Sequence, residues 1–274
     1  MANESAAEAL AADLDVLRGS EPAAPVVTVG PATFTRWSGF YVGGDVSYNA
    51  ANVDFTNAAA PLISLALQGT LVQQVFTPSQ LSAIGRGAST AFGGGAFLGY
   101  NTQWQDLILG VEADYTHTNL RSTASSTISS GVIARSFASP VGNVIAIQIS
   151  NPAAHMNVTD YGEARFRAGY VVGNLLPYGF AGFVVGSGDY NASVKVDLTC
   201  TNGVITGECV GYPLTPSAGQ NNALLWGFSV GFGLDWALTQ NFFLRGEFEF
   251  VQFAPIDSIN VPIVGGRIGA GYKF

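Results

Sequence analysis

The sequence predicts an all-β protein: an eight-stranded antiparallel up-and-down transmembrane β-barrel with long extracellular loops and a short N-terminal helix. Three observations lead there. Of the 274 residues 48% are hydrophobic and only 11% are charged, with a mean hydropathy of +0.29, yet no run of about 18 uniformly apolar residues is present to form a membrane helix. A barrel reconciles the two, because its lipid-facing residues alternate with polar lumen-facing ones and dilute the hydropathy. Eight segments alternate with period two, the pattern of strands with one apolar face. The connections between them are short and long by turns, and long loops are uncommon in compact domains, whereas outer-membrane barrels have them on one side only.

Residues 1–36 are predicted to form a periplasmic segment ahead of a barrel at 37–274. Met1 to Asp15 lacks the basic start and apolar centre of a signal peptide. Ser5 with Glu8 makes a capping-box pattern, Leu10, Leu14 and Leu17 share a stripe, and Gly19 is a stop, so a short helix leads into the Pro-rich linker Glu21 to Arg36. Its readings are a handle, a plug at the barrel mouth, a contact with a neighbouring protomer, or a mobile leader.

The first strand, Phe40 to Tyr48, sets Phe40, Val42, Val46 and Tyr48 against Asp45 and Ser47. Phe92 to Tyr100 sets Phe92, Ala96, Leu98 and Tyr100 against three glycines, and Leu107 to Tyr115 sets Leu107, Leu109, Val111 and Tyr115 against Glu112 and Asp114. Tyr161 to Val172 opposes Ala164, Phe166, Ala168 and Tyr170 to Glu163, Arg165 and Arg167. In Pro177 to Tyr190 both parities are apolar, with Tyr178, Phe180 and Val184 on one and Phe183 and Val185 on the other, so its facing is ambiguous. Leu224 to Ala237 carries a ladder from Leu224 through Trp226, Phe228, Val230, Phe232 and Leu234 to Trp236, opposite Gly227, Ser229, Gly231, Gly233 and Asp235, small residues that suit a crowded interior. Asn241 to Val251 sets Phe242, Leu244, Phe248 and Phe250 against Arg245, Glu247 and Glu249, and Ile263 to Phe274 sets Val264, Ile268, Ala270, Tyr272 and Phe274 against Arg267 and Lys273. The short turns are Asn101 to Asp106, Gly173 to Leu176 and Leu238 to Gln240, which with an even strand count puts both termini in the periplasm. A soluble lipocalin-like barrel would instead turn the apolar parity inward, placing Arg245, Glu247 and Glu249 outside.

The charged parity supplies the candidate site: Glu112, Asp114, Glu163, Arg165, Arg167, Asp235, Arg245, Glu247, Glu249 and Arg267. The inside of an eight-stranded barrel is barely wide enough for side chains, so these ten are expected to pair as a structural network, arginine forks bridging carboxylates on different strands. The alternative is an ion-selecting constriction in a water channel. Paired carboxylates acting as general acid and base are disfavoured, since a filled lumen admits no substrate. Of two histidines, His117 is expected at the outer end of the third strand and His155 in the second long loop; Thr116 and His117 face opposite ways and form no dyad. No metal or phosphate motif and no nucleophile elbow is present, so no enzyme, cofactor or metal is expected. A net charge of -8 with 11 Lys and Arg argues against nucleic acid.

At these residues the chain resembles the small eight-stranded outer-membrane proteins of alphaproteobacteria, the OmpA-like and opacity-like surface antigens of porin-family type. "WSGFYVGGDVSYN" from Trp37, "GAFLGYNTQW" from Gly95 and the terminal "RIGAGYKF" carry the likeness. The resemblance implies that Arg267, Gly269, Tyr272 and Phe274 form a signal for the barrel-assembly machinery, and that a secretory signal is removed, from which Met1 to Asp15 departs.

The outer loops are unusual. Phe55 to Ile84 contains no charge, and Ser122 to Thr159 holds only Arg135 among charges before Thr159, with the β-prone run "VGNVIAIQIS". Such loops are expected to be buried as a cap on one another, against neighbouring copies in a homo-oligomer, or against an envelope or host partner; the alternative is that they extend the barrel strands above the membrane and pack as hairpins. Cys200 and Cys209 flank "TNGVITGE" and are expected to form a disulfide in an oxidising compartment. Trp37, Tyr41, Trp104, Tyr115, Tyr170, Tyr178, Trp236 and Tyr272 are expected in interfacial girdles, and Arg86, Arg121 and Arg135 of the outer loops near lipopolysaccharide phosphates. The function read from the sequence is a non-catalytic surface protein that supports the envelope and interacts or assembles through its loops. The alternative is a small passive porin.

Overall fold

The computed structural model describes residues 36–70, 72–75, 77, 84–125, 132–138, 144–201 and 211–274. The expected N-terminal helix and linker, up to residue 35, lie outside the described residues. The strands are β1 (Gly39–Asp54), β2 (Arg86–Trp104), β3 (Leu107–Ser125), β4 (Val132–Ala138), β5 (Val144–Tyr170), β6 (Leu175–Thr201), β7 (Ser217–Ala237), β8 (Phe242–Phe253) and β9 (Pro262–Lys273). Eight of them form an antiparallel ring: β1 pairs with β2 and β9, and the β3–β5 pairing closes it. β4 stands outside the ring as a hairpin partner of β5.

The strands are tied by tight turns at one end of the ring. Trp104 pairs with Leu107 across two residues, with Gln105 at φ 54°, and Gly173 at φ 61° turns β5 into β6, a conformation open to glycine. At the other end β3, β5 and β6 run well past the predicted segments, to 19, 27 and 27 residues. The cause is a change of phase. Near the short turns the outward parity is apolar, from Leu107 to Tyr115 on β3, and the inward parity is charged. Beyond Tyr115 the outward residues are His117, Asn119, Arg121 and Thr123, while Leu120 faces in. On β5 the run expected in a loop is strand, with Ile145, Ile147 and Ile149 buried and Gln148 exposed. The same backbone thus passes from a barrel with an apolar outer face to one arranged like a water-soluble protein.

The first long connection folds inward. α1 (Ala60–Ala66), opened by Pro61 in its first turn where proline's fixed φ is accommodated, and the single turn α2 (Val72–Val75) were not expected from sequence. Phe55, Ala59, Leu62, Ile63, Leu67 and Ile84 are buried in one cluster with Ile147, Met156, Val194, Val196, Leu225 and Phe253. This connection thus packs as a cap on the strands of the ring, including the β5 run expected in the second loop.

Three placements differ from the sequence reading, and one ambiguity is resolved. Trp37, Tyr41 and Tyr178 are buried inside the ring rather than in a girdle, whereas Trp104, Tyr115, Tyr170, Trp236 and Tyr272 face outward as expected. His155 lies in β5 between Thr123 and Asn191, not in a loop. Arg86, Arg121 and Arg135 are strand residues of β2, β3 and β4. The ambiguous β6 segment turns Tyr178, Phe180 and Val184 inward, where the two rings lie under the Arg167 and Arg165 guanidiniums, and Phe183 and Val185 outward.

Candidate functional site

The ring interior is layered. Next to the short turns, Trp37, Tyr41, Phe97, Ile108, Leu176, Tyr178, Phe180 and Phe243 form an apolar layer. Trp37 packs edge-on to Phe243 at 5.9 Å and Tyr41 to Phe243 at 6.0 Å. The Trp37 amide donates to Gln103 Oε1 at 2.8 Å, and Lys273 Nζ donates to the Arg36 carbonyl.

Above that layer lie the ten charges read from the sequence, none more than 7% exposed. Period-two geometry points all of them inward, and glycine gives them room: a Cβ on Gly233 would stand 2.6 Å from Tyr178 Cζ and 2.9 Å from Glu247 Cγ. Glu112 is the hub. It accepts from Arg165 Nε at 2.7 Å and Nη2 at 2.5 Å, Arg167 Nη1 at 3.1 Å, Arg245 Nη1 at 2.9 Å and Tyr41 Oη at 2.7 Å. Asp235 accepts from Arg167 Nη2 at 2.6 Å and Arg245 Nε at 2.9 Å. Arg165 Nη2 also donates to Glu247 Oε2 at 3.0 Å, and Tyr178 Oη to Glu247 Oε1 at 2.5 Å. Farther from the short turns Arg267 joins Asp114 at 2.6 Å, Glu163 at 3.1 Å and Glu249, and Ser229 Oγ donates to Glu163 at 2.8 Å.

The guanidiniums stack on aromatics as well. Arg245 lies 3.9 Å from the Phe97 centroid, Arg167 3.8 Å from Tyr178 and Arg165 4.4 Å from Phe180, favourable over a ring face when desolvated. The apolar layer and the network are therefore one packed body. Above it comes the large apolar cluster under α1.

Sequence reasoning left out of this network Tyr41, Tyr178 and Ser229, and left out Asp45 beside it. Asp45 is 8% exposed and faces the lumen beside Gly95 and Gly269. Its parity was the available signal. Tyr41 shares that parity, but a strand-end tyrosine, Tyr178 included, reads equally as a girdle residue. Of the terminal four, Arg267 is in the network and Gly269 packs on the Gly44 carbonyl, where a Cβ would come to 2.7 Å. Tyr272 and Phe274 face outward with rings 5.2 Å apart.

His117 is on the outer wall. Its Nδ1 lies 2.7 Å from Asp160 Oδ1, which also accepts from Tyr115 Oη at 2.6 Å. Thr116 is buried on the opposite face, so no nucleophile joins the pair from β3. Cys200 lies in β6 opposite Ile145, and Cys209 is outside the described residues. No helix is long and apolar enough to cross a membrane, and no group of three or more His, Cys, Asp or Glu suited to a metal occurs among the described residues.

The outer membrane protein beta-barrel domain matches residues 22–274. The chain belongs to this outer-membrane β-barrel family. Membership places it in the outer membrane, with the exposed apolar belt in lipid. Among solved structures it is similar to Neisserial surface protein A (15% identity, 86% of this chain and 98% of that one, TM-score 0.35). It is similar also to OprG from Pseudomonas aeruginosa (12%, 88% and 98%, 0.38) and to Ail of Yersinia pestis (14%, 86% and 99%, 0.31). No curated protein matches the chain.

Proposed function

We propose that this outer-membrane β-barrel protein is a non-catalytic surface protein: a closed barrel that holds the extended β3–β6 hairpins outside the cell, supporting the envelope and serving interaction or assembly. The carrying observation is the stacked interior. A charged belt lies between an aromatic layer and a capped apolar cluster, with the charges all but excluded from solvent. Ions entering such a lumen would have to displace paired arginines and an apolar layer several residues deep, a cost of several kcal/mol per ion. In this reading the long-loop end is extracellular and the termini are periplasmic. Arg267, Gly269, Tyr272 and Phe274 serve recognition by the assembly machinery, and Cys200 with Cys209 staples the β6–β7 loop.

The test is conductance in planar lipid bilayers with folded protein, alongside Arg245→Ala. A silent bilayer is expected for the unmodified protein. Sustained ohmic steps that change with the variant would replace this reading by that of a passive porin. Protease accessibility of the long loops on intact cells tests the orientation separately.

A further inference from the structure

The outer wall of β3, β5 and β6 carries a pocket unrelated to the lumen. Thr123, His155 and Asn191 form one cross-strand row and Ser125, Ala153 and Ser193 the next. Together they line a shallow depression of about 350 Å³, within the range of small-ligand sites. The small Ala153 makes the dent, and its neighbours supply three hydroxyls, an amide and an imidazole. No charge lies in these two rows. Arg121 and Asp189 flank them on one side and Lys195 on the other.

Two irregularities of β5 bracket this stretch. Register shifts fall between Ser150 and Ala153, where Asn151 has φ 50°, and between Val158 and Asp160. Bulges of this kind re-aim side chains and gather beside sites. Here they set off residues 153–158 as a separate platform.

The height of the pocket identifies its occupant. Thr123 is eight residues beyond Tyr115, the last outward aromatic of β3, hence about 20 Å farther along the barrel axis for a tilted strand. The polar headgroup region adds only about 5–8 Å to each side of the hydrocarbon core, so phospholipid headgroups end below the pocket. It opens sideways, toward molecules standing in the same leaflet. Hydroxyl and amide groups that both donate and accept, without formal charge, match sugar hydroxyls rather than phosphate.

We infer that this wall is a saccharide site, holding an uncharged sugar of the core oligosaccharide of a neighbouring outer-leaflet glycolipid. The inference rests on the extracellular orientation proposed above. The binding chemistry is tested independently of it, with protein folded in micelles, where both ends are accessible.

The chain has two histidines, so its ring spectrum contains two signals. His155 belongs to the pocket and His117, bonded to Asp160, does not. Core oligosaccharide released from lipopolysaccharide, free of acyl chains, is titrated into imidazole-labelled protein. The His155 signal is expected to move saturably while that of His117 stays. Ala153→Trp, an outward substitution that fills the dent, is expected to weaken binding about tenfold, equivalent to about 1.4 kcal/mol, with folding confirmed by heat-modifiable gel mobility. Movement of neither signal, equal movement of both, or movement of His155 with phosphorylated lipid A but not with the oligosaccharide would each overturn the assignment. Oligosaccharide binding combined with inaccessible loops on cells would leave the pocket standing and fail the orientation alone.

Discussion

Glu112 offers the deepest test of the lumen network. Glu112→Gln preserves shape and removes charge, and both carboxylate oxygens face only donors: two from Arg165 on one, and Tyr41, Arg167 and Arg245 on the other. Whichever way the amide turns, its nitrogen opposes N–H or O–H groups. The less costly rotamer sets it against Arg165 and forfeits two charge-assisted bonds, each about 1.5–3 kcal/mol. The sum agrees with the roughly 3–5 kcal/mol expected on removing one partner of a buried ion pair. Against a total stability of about 5–15 kcal/mol this is a loss of about a fifth or more. Equilibrium urea unfolding in phospholipid vesicles measures it, followed by tryptophan fluorescence and the gel shift between folded and unfolded forms, with unchanged m-value confirming that the states compared are the same. The exposed pair of Asp54 and Arg86 provides the control, where Arg86→Met should cost at most about 1 kcal/mol. A Glu112→Gln loss no larger than that control would refute the packed network.

Other outcomes follow from the same structure. Gly227→Ala brings a Cβ to 2.1 Å from the Gln252 carbonyl oxygen and should destabilise by about 1–3 kcal/mol. Gly246→Ala, with open space outside it, should stay within about 0.5 kcal/mol; vesicle unfolding measures both. Phe253→Ala empties the centre of the apolar cluster under α1 and should cost about 3–5 kcal/mol, seen as a lower urea midpoint. The Asp54 carboxyl is held below its usual range, first by the Thr56 hydroxyl and then by the Thr56 amide and Arg86. Because the folded value is depressed, its contribution is present above the unfolded carboxylate value of about 4 and is lost as pH falls through the lower folded value. The protection of the Thr56 amide, measured relative to its intrinsic exchange rate at each pH, should therefore fall in acid, and Asp54→Asn should remove that pH dependence.

Strand parity was legible wherever one face meets lipid and the other meets charge. The Trp226–Trp236 ladder and the set from Arg245 to Glu249 needed only period two to be placed. What misled was the interior layering, invisible to a two-letter apolar or polar code. Tyr41 and Tyr178 share the inward parity with Glu112 and Glu247 but belong with the aromatics. They looked like interfacial residues because their hydroxyls suit both roles. Strand lengths failed for a related reason: past Tyr115 the alternation continues with its sign reversed, and a template that expects apolar residues outside ends the strand there. Helix α1 was hidden by its weak cues, a seven-residue segment whose Ala59 cap makes no side-chain bond. The site residues themselves could be read; their partners could not, since an arginine's choice among six carboxylates is a matter of register.

The reversal of phase along β3, β5 and β6 also works as a draught mark. Sinking the barrel by a single residue pair would drag His117 and Asp160 into hydrocarbon, and raising it by the same step would lift Tyr115 and its neighbours clear of the lipid. Both displacements are opposed, so the waterline is written into the strands. The protruding hairpins consequently stand at a set height above the bilayer.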